Sequence, residues 1–306
     1  MGSYNKTLDV KSKKKLTGRF MLVVGGISLL LLTACSNDGN SPKAEKYDDE
    51  TPSLQTGLPS EVKGKLKIFL FVGQSQVSGR GLLLKKDKEL NVNQNAFVFG
   101  NDYQWKIAME PTDSPFNQVD KVSLDKDAGV GPVVSFTKSM NSLQPDWHIG
   151  IVQCAMGGTI IKQWQRDLSR DSLYGSCMHR AKQAQEEGDI IGIIFQQGES
   201  DAVKPGSRPV APDQWGELFN DTITAMRDDL SIPDLPVIYT QVGQHGSDRF
   251  VNWDMIKTQQ ANANVANSAM VKTEDLPLKD YVHYTADGYR TLGERYAKTY
   301  ASLVKK

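Results

Sequence analysis

Lys67-Ile68-Phe69-Leu70-Phe71-Val72 runs directly into Gly73-Gln74-Ser75-Gln76-Val77-Ser78-Gly79-Arg80-Gly81. The first stretch is apolar after Lys67 and does not alternate, as expected of a strand buried on both faces of a parallel sheet. The second is a glycine-bounded turn with a serine straight after the strand. Glycine two residues before Ser75 permits a tight turn, which puts the hydroxyl at the sheet edge near a helix N-terminus. Backbone N–H groups there stabilise a developing oxyanion. Serine in such a turn is also a common helix cap, so this fragment alone leaves nucleophile and cap both open.

The pattern recurs along the chain. His148 to Cys154, Ile190 to Gln196 and Pro236 to Val242 are further short apolar runs. Helix-like segments fall at 131–142, 174–187, 213–230, 253–266 and 286–303. In the last, Tyr289, Leu292, Tyr296, Tyr300 and Leu303 recur at three- and four-residue steps behind Thr285, a good N-cap residue. Strand and helix in alternation predict a three-layer α/β/α sandwich around a parallel sheet, with ligands bound beyond the carboxyl ends of the strands. No repeat or second linker interrupts residues 61–306, a length that suits one domain.

The other strand ends carry candidate chemistry. Cys154 leads into Ala155-Met156-Gly157-Gly158-Thr159, and Phe195 into Gln196-Gln197-Gly198-Glu199-Ser200-Asp201. Paired glycines let a backbone amide approach a ligand, and a Gln carboxamide is a neutral donor for a carbonyl oxygen gaining charge. A sharp strand-to-helix turn accounts for Gly157-Gly158 equally well. A serine nucleophile needs a base, usually histidine. His148 begins its strand and belongs at the opposite edge, and His179 sits among Arg180, Lys182 and Gln183 on a solvated helix face. His245 follows a strand at the correct edge. His283 lies three residues after Asp280, whose carboxylate can hold Nδ1–H and leave Nε2 for the serine. That spacing favours His283 over His245, with a surface ion pair as the alternative account.

Composition narrows the class. Lys plus Arg number 36 against 36 Asp plus Glu, which argues against a polyanionic partner such as nucleic acid. The 39% apolar content excludes disordered and collagenous chains. Lys6, Lys11, Lys13, Lys14, Lys15 and Arg19 precede an uncharged stretch from Met21 to Leu32, too short to span a hydrocarbon core of about 30 Å but suited to a secretory signal. Leu32-Thr33-Ala34-Cys35 then resembles the lipobox of bacterial lipoproteins. The resemblance implies a signal peptide over 1–34, a lipid on Cys35 that tethers the protein to the membrane, and an exported protein of the cell envelope. Ser36 points to the outer membrane. An uncleaved anchor helix is the other reading; myristoylation fails at Lys6, where Ser or Thr is required. Residues 35–60, rich in Ser, Asn, Asp, Gly and Pro, read as a flexible tether. Cys154 ends an apolar run and Cys177 sits in a helical pattern, which favours two small buried residues over a disulfide. An oxidising compartment would permit the pair. Nothing matches a zinc spacing, and no metal or cofactor is expected.

Taken in order, Gly-Gln-Ser, Gly-Gly-Thr, Gln-Gly-Glu-Ser-Asp and Asp-x-x-His resemble the SGNH hydrolases, and specifically carbohydrate esterase family 6 and the sialate O-acetylesterase-like domain. The likeness runs from about Lys67 to Ala297 and includes Gly131-Pro132, Trp164 and Asp287-Gly288-Tyr289. It implies a serine esterase that removes acetyl groups from oligo- or polysaccharide. Ser75 matches the nucleophile, His283 the base and Asp280 its orienting acid. The oxyanion donors would be the Ser75 and Gly158 backbone N–H groups and the Gln197 side chain, with Gly157 as the alternative amide. Glu199 and Asp201 match supporting positions. Gln76 stands where the family usually has Asn, which bears on how the turn is braced. Phe195 and Gln196 replace Trp and His, which bears on the pocket wall. Trp105, Trp164, Trp215 and Trp253 are sugar platforms or core residues, and the loops at 85–128 and 202–212 would set specificity. A lipid or acyl-thioester hydrolase and a non-catalytic glycan-binding lipoprotein are the competing readings.

Overall fold

Strand β1 (Leu66–Gly73) is buried apart from Lys67 because both its faces are apolar beyond that residue. Ile68, Leu70 and Val72 enter the core on one side of the sheet, and Phe69 and Phe71 the core on the other. The computed structural model describes residues 57–206 and 208–305. The expected signal peptide, Cys35 and the tether as far as residue 56 lie outside the described residues. Gly57 already donates to Trp105 O at 2.8 Å and Leu58 packs on the core, so the fold begins ahead of the expected boundary at residue 61.

The sheet has the order β3-β2-β4-β1-β5-β6-β7. Its other strands are β2 (Val92–Phe99), β3 (Trp105–Met109), β4 (His148–Ala155), β5 (Gly188–Gln196), β6 (Val237–Thr240) and β7 (Ser268–Val271). Helices α3 (Leu173–Ala184), α4 (Trp215–Leu230) and α5 (Trp253–Ala261) cover one face. Helices α2 (Val133–Leu143) and α6 (Ala286–Val304) cover the other, and a single turn, α1 (Ser75–Ser78), follows β1. This is the anticipated three-layer sandwich. Phe136 of α2 meets Phe69 and Phe71 edge-on, with centroids 4.8 and 5.1 Å away. Truncating a ring held this way costs about 3–5 kcal/mol. Thr285 caps α6 as expected, accepting from Gly288 N at 3.1 Å.

Three departures have physical causes. Residues 85–128 hold β2 and β3, so the expected loop is a strand pair, and β2/β3 is antiparallel within an otherwise parallel sheet. The polar start of β2 (Val92-Asn93-Gln94-Asn95) and the half-exposed edge strands β3 and β7 give no apolar run to read. Helix α5 stops at Ala261 because Asn262 and Asn264 favour turns over helix. Cys154 and Cys177 are buried but bonded to each other, with Cα atoms 5.4 Å apart, which corrects the reading as free cysteines. The bond joins the end of β4 to α3, and closing a loop of that size stabilises by about 3 kcal/mol in the chain-entropy picture.

Register places the site. Gly73 lies opposite Ala155 of β4 on one side and Gln196 of β5 on the other. The three segments that follow these strands therefore leave the sheet at one level, at its carboxyl rim.

Candidate active site

Ser75 is the first residue of α1 and is 6% exposed. Its Oγ lies 2.9 Å from His283 Nε2, and His283 Nδ1 lies 2.9 Å from Asp280 Oδ2. The other oxygen of Asp280 accepts the backbone N–H groups of Val282 at 2.9 Å and His283 at 2.8 Å. Those two amides fix the carboxylate, and the carboxylate fixes the imidazole. The turn is closed further by Lys279 N donating to His283 O at 2.7 Å and Thr285 N to Pro277 O at 2.9 Å. A cavity of about 470 Å³ opens over Ser75 and His283, walled by Arg80, Asp125, Glu199 and Arg249 among others. A second, of about 1010 Å³, adjoins it through Met156, Gly157 and Gly158.

Burial lowers the proton affinity of His283, Asp280 opposes that shift, and the cations of Arg80 and Lys279 reinforce it. The net result is an imidazole below its ordinary pKa. Burial pushes Asp280 up, but hydrogen bonds from His283 and Val282 outweigh it and hold the carboxyl below the usual range. The pair is thus neutral imidazole beside carboxylate at neutral pH, the state in which Nε2 can accept a proton.

The two amides of the glycine pair differ in partner. Gly157 N donates to Asp125 Oδ2 at 3.1 Å, whereas Gly158 N and Ser75 N have no acceptor among the described residues. Gly158 has φ +74°, which side chains rarely adopt, so glycine is required there. Gly157 is needed for space: a Cβ would come within 2.7 Å of Arg80 Nη2 and 2.9 Å of Asp125 Oδ2. Gln197 departs from expectation. Its amide nitrogen donates to Asp201 Oδ2 at 2.6 Å, Thr159 O at 3.1 Å and Gln74 Oε1 at 3.3 Å, while its oxygen accepts from Trp215 Nε1 at 2.7 Å. Buried and satisfied at both ends, the carboxamide does not face the cavity and braces the turn instead.

Asp201 is fully buried and accepts from Ile161 N at 2.8 Å as well as from Gln197, and burial raises its pKa to about 6. Glu199 lines the cavity, and burial lifts it to about 7 against hydrogen bonds from its own backbone N–H and Gln76. Gln76 explains its departure from Asn: Nε2 reaches Val282 O at 2.8 Å, and Oε1 accepts from Tyr289 OH at 2.5 Å. The longer side chain ties the serine turn to the histidine loop and to α6. Phe195 packs in the core against Phe219, and Gln196 accepts from Tyr296 OH at 2.8 Å. Neither lines the cavity, so the expected change of pocket wall does not occur.

The other histidines stand apart from Ser75. His148 opens β4 at the far rim, His179 is exposed on α3, and His245 meets Phe250 edge-on and Trp253 at a tilt, with Nδ1 against Ser247 O. Trp105, Trp164, Trp215 and Trp253 are all core residues. Sequence reasoning missed Ser78, Arg80 and Asp125, which interlock beside the cavity: Asp125 Oδ2 accepts from Arg80 at 2.5 Å and Ser78 Oγ at 2.8 Å. Arg80 and Ser78 sat within the serine motif. Asp125 lies in an irregular segment with no periodic signal. Among the described residues no cluster of His, Cys, Asp and Glu could hold a metal ion.

The profile of a family described as carbohydrate esterase, sialic acid-specific acetylesterase, matches residues 65–302. The chain belongs to this family. Membership makes it a carboxylic ester hydrolase of the carbohydrate acetylesterase kind. A protein of Arabidopsis thaliana named as a probable carbohydrate esterase is 30% identical over 270 residues, covering 83% of this chain and 95% of its own. A crystal structure of an Arabidopsis thaliana protein superposes with TM-score 0.66 at 26% identity over 78% of this chain and 98% of that one. NanS superposes at 0.60 and 15% identity, over 79% of this chain and 98% of its own, a likeness of fold. A carbohydrate acetylesterase from Xanthomonas citri superposes at 0.58 and 17% identity, over 78% of this chain and 56% of its own. The acetylesterase family thus shares the SGNH fold on which Ser75 and His283 meet.

Proposed function

We propose that this esterase removes O-acetyl groups from carbohydrate by a Ser75-His283-Asp280 triad and an acyl-enzyme. The observation that carries the reading is the unbroken line from Ser75 Oγ through His283 to Asp280, opening into one cavity. Ser75 Oγ attacks the acetyl carbonyl as Nε2 takes its proton. The tetrahedral oxyanion points at the N–H groups of Ser75 and Gly158, the carbonyl re-forms, and the sugar alcohol leaves with the proton from Nε2. Water then repeats the sequence on the acetyl-serine, releasing acetate. Acetate release from a panel of acetylated mono- and oligosaccharides tests the reading, and no release from any of them overturns it.

A charged wall of Arg80, Asp125, Lys126, Asp127 and Arg249 suits a polyhydroxylated substrate better than an acyl chain, which favours sugar over lipid esters. The adjoining cavity gives room for sugar residues beyond the acetylated one. The assembled triad also argues against a module that only binds glycans.

Only neutral His283 accepts a proton, so turnover rises with pH as the imidazole deprotonates. Because burial and the nearby cations hold His283 below its ordinary value, the acid limb of kcat/KM should have its midpoint below about 6.5. Glu199 titrates near 7 in the same cavity, and Glu199→Gln separates the two: the low midpoint should persist in that variant. A midpoint at or above 7 that vanishes with Glu199→Gln would assign the limb to Glu199.

The lipobox-like segment extends the proposal to location. With Cys35 lipidated and residues 35–60 as tether, the esterase would act from the cell envelope. Cys35→Ala should move the expressed full chain from the membrane to the soluble fraction, and unchanged membrane association would remove the anchor.

A further inference from the structure

We infer that Asp125 is a positioning residue for the esterase, the joint that fixes the oxyanion-binding amide relative to the nucleophile. The inference rests on the triad reading above and adds a residue to it. One oxygen, Asp125 Oδ2, accepts three donors from two separate turns: Ser78 Oγ at 2.8 Å and Arg80 Nη2 at 2.5 Å from the serine turn, and Gly157 N at 3.1 Å from the glycine turn after β4. Its other oxygen accepts Asp127 N at 3.3 Å, which holds the carboxylate in its own loop. Asp125 is 6% exposed and borders the cavity.

The consequence lies in the next residue. Holding the Gly157 N–H fixes the Met156–Gly157 peptide plane, one residue ahead of the plane that carries the Gly158 N–H, and that N–H has no acceptor of its own among the described residues. Arg208 Nη1 donates to Gly158 O at 2.6 Å and clamps the following plane. Without the carboxylate, the two turns keep Met156 N on Gly73 O at 3.1 Å and the Gln197 bridge between Gln74 and Thr159, but lose the joint that ties Gly157 N to Ser78 and Arg80. A displacement of about 1 Å in a reacting group costs on the order of 10²-fold in rate, the same scale as losing one oxyanion donor.

The test compares Asp125→Asn, which keeps shape and one acceptor, with Asp125→Ala in the full chain, using 4-nitrophenyl acetate and an acetylated saccharide. Wild type and Ser75→Ala run alongside, so failure of the triad reading is seen separately as activity surviving in Ser75→Ala. Asp125→Asn should lose about 10²-fold in kcat with KM within about threefold. The acid-limb midpoint should not rise, because the charges acting on His283 are Asp280, Arg80 and Lys279, and a neutral side chain at position 125 leaves the Arg80 cation less compensated. Asp125→Ala should recover at least tenfold in kcat on adding formate, a carboxylate small enough for the open cavity. A general loss of folding would not be reversed that way. A kcat within threefold of wild type in Asp125→Asn overturns the inference, as does a raised midpoint, which would place the effect on the imidazole. If Asp125→Ala does not fold, Asp125→Asn alone decides.

Discussion

Ser75→Ala should lower kcat by roughly 10⁴- to 10⁶-fold while leaving the fold intact, the scale on which a triad nucleophile is lost. Ser75 Oγ has His283 Nε2 as its hydrogen-bond partner, and the turn that carries it is held by groups other than the hydroxyl: Val77 N and Ser78 N donate to Gln74 O at 2.8 and 3.1 Å, and Gly79 N to Ser75 O at 2.9 Å. Removing the hydroxyl therefore deletes the nucleophile and little else. The residual rate comes from binding and from the amides of Ser75 and Gly158, which the variant keeps. Turnover of an acetylated saccharide by purified Ser75→Ala, matched in melting temperature to wild type, is the measurement. A rate within tenfold of wild type would move the nucleophile elsewhere. A fluorophosphonate should form its adduct on Ser75 in the wild type, and its absence from folded protein would revive the glycan-binding reading.

Asp280→Asn should cost about 10⁴-fold in kcat, on the scale known for an isosteric change that presents the wrong tautomer. Asp280 Oδ1 accepts two backbone N–H groups and Oδ2 faces Nδ1. An Asn has one acceptor oxygen. The two backbone donors claim it, which leaves the amide NH₂ against Nδ1. That nitrogen must then be the unprotonated one, Nε2 carries the hydrogen, and it points at Ser75 as a donor when the chemistry needs an acceptor. The variant should also retain KM, since Asp280 orients the base without forming part of the cavity wall. Stopped-assay kcat on the same saccharide decides: a loss under about tenfold would mean that the imidazole is oriented by its packing alone. Both expectations require the same line of three groups, but they fail differently, because the first tests the atom that attacks and the second the proton position that lets it.

Much of this was legible in the chain. The non-alternating run at Lys67–Val72 announced a strand buried on two faces, and the regular spacing of Tyr289, Leu292, Tyr296 and Tyr300 announced the helix behind it, since burial pattern follows from the period of the backbone. Ser75, Gly158, Asp280 and His283 were all named from motifs because each lies within a few residues of a strand end or helix cap, where local geometry is dictated locally. Strand β2 and the edge strands β3 and β7 were not legible: β2 opens on polar residues, and half-exposed strands at a sheet edge need no apolar run.

The parts that stayed hidden are those set by residues far apart in sequence. The donor set of Gln197 looked right for an oxyanion, yet Trp215 and Thr159 converge on it from two other segments, beside Asp201 of its own turn. The four tryptophans offered themselves as platforms, and packing took each into the core. Cys154 and Cys177 were individually readable as buried, while their bond depended on where α3 lands against β4. Asp125 carries no signal in its own neighbourhood, because its partners come from Ser78, Arg80 and Gly157. Local sequence, through period, turn chemistry and short-range hydrogen bonds, determined the layers of this protein and the identity of its reactive side chains. Tertiary structure alone decided which polar groups were left without partners at the rim, because a donor is free only when every distant chain segment that could satisfy it has been placed.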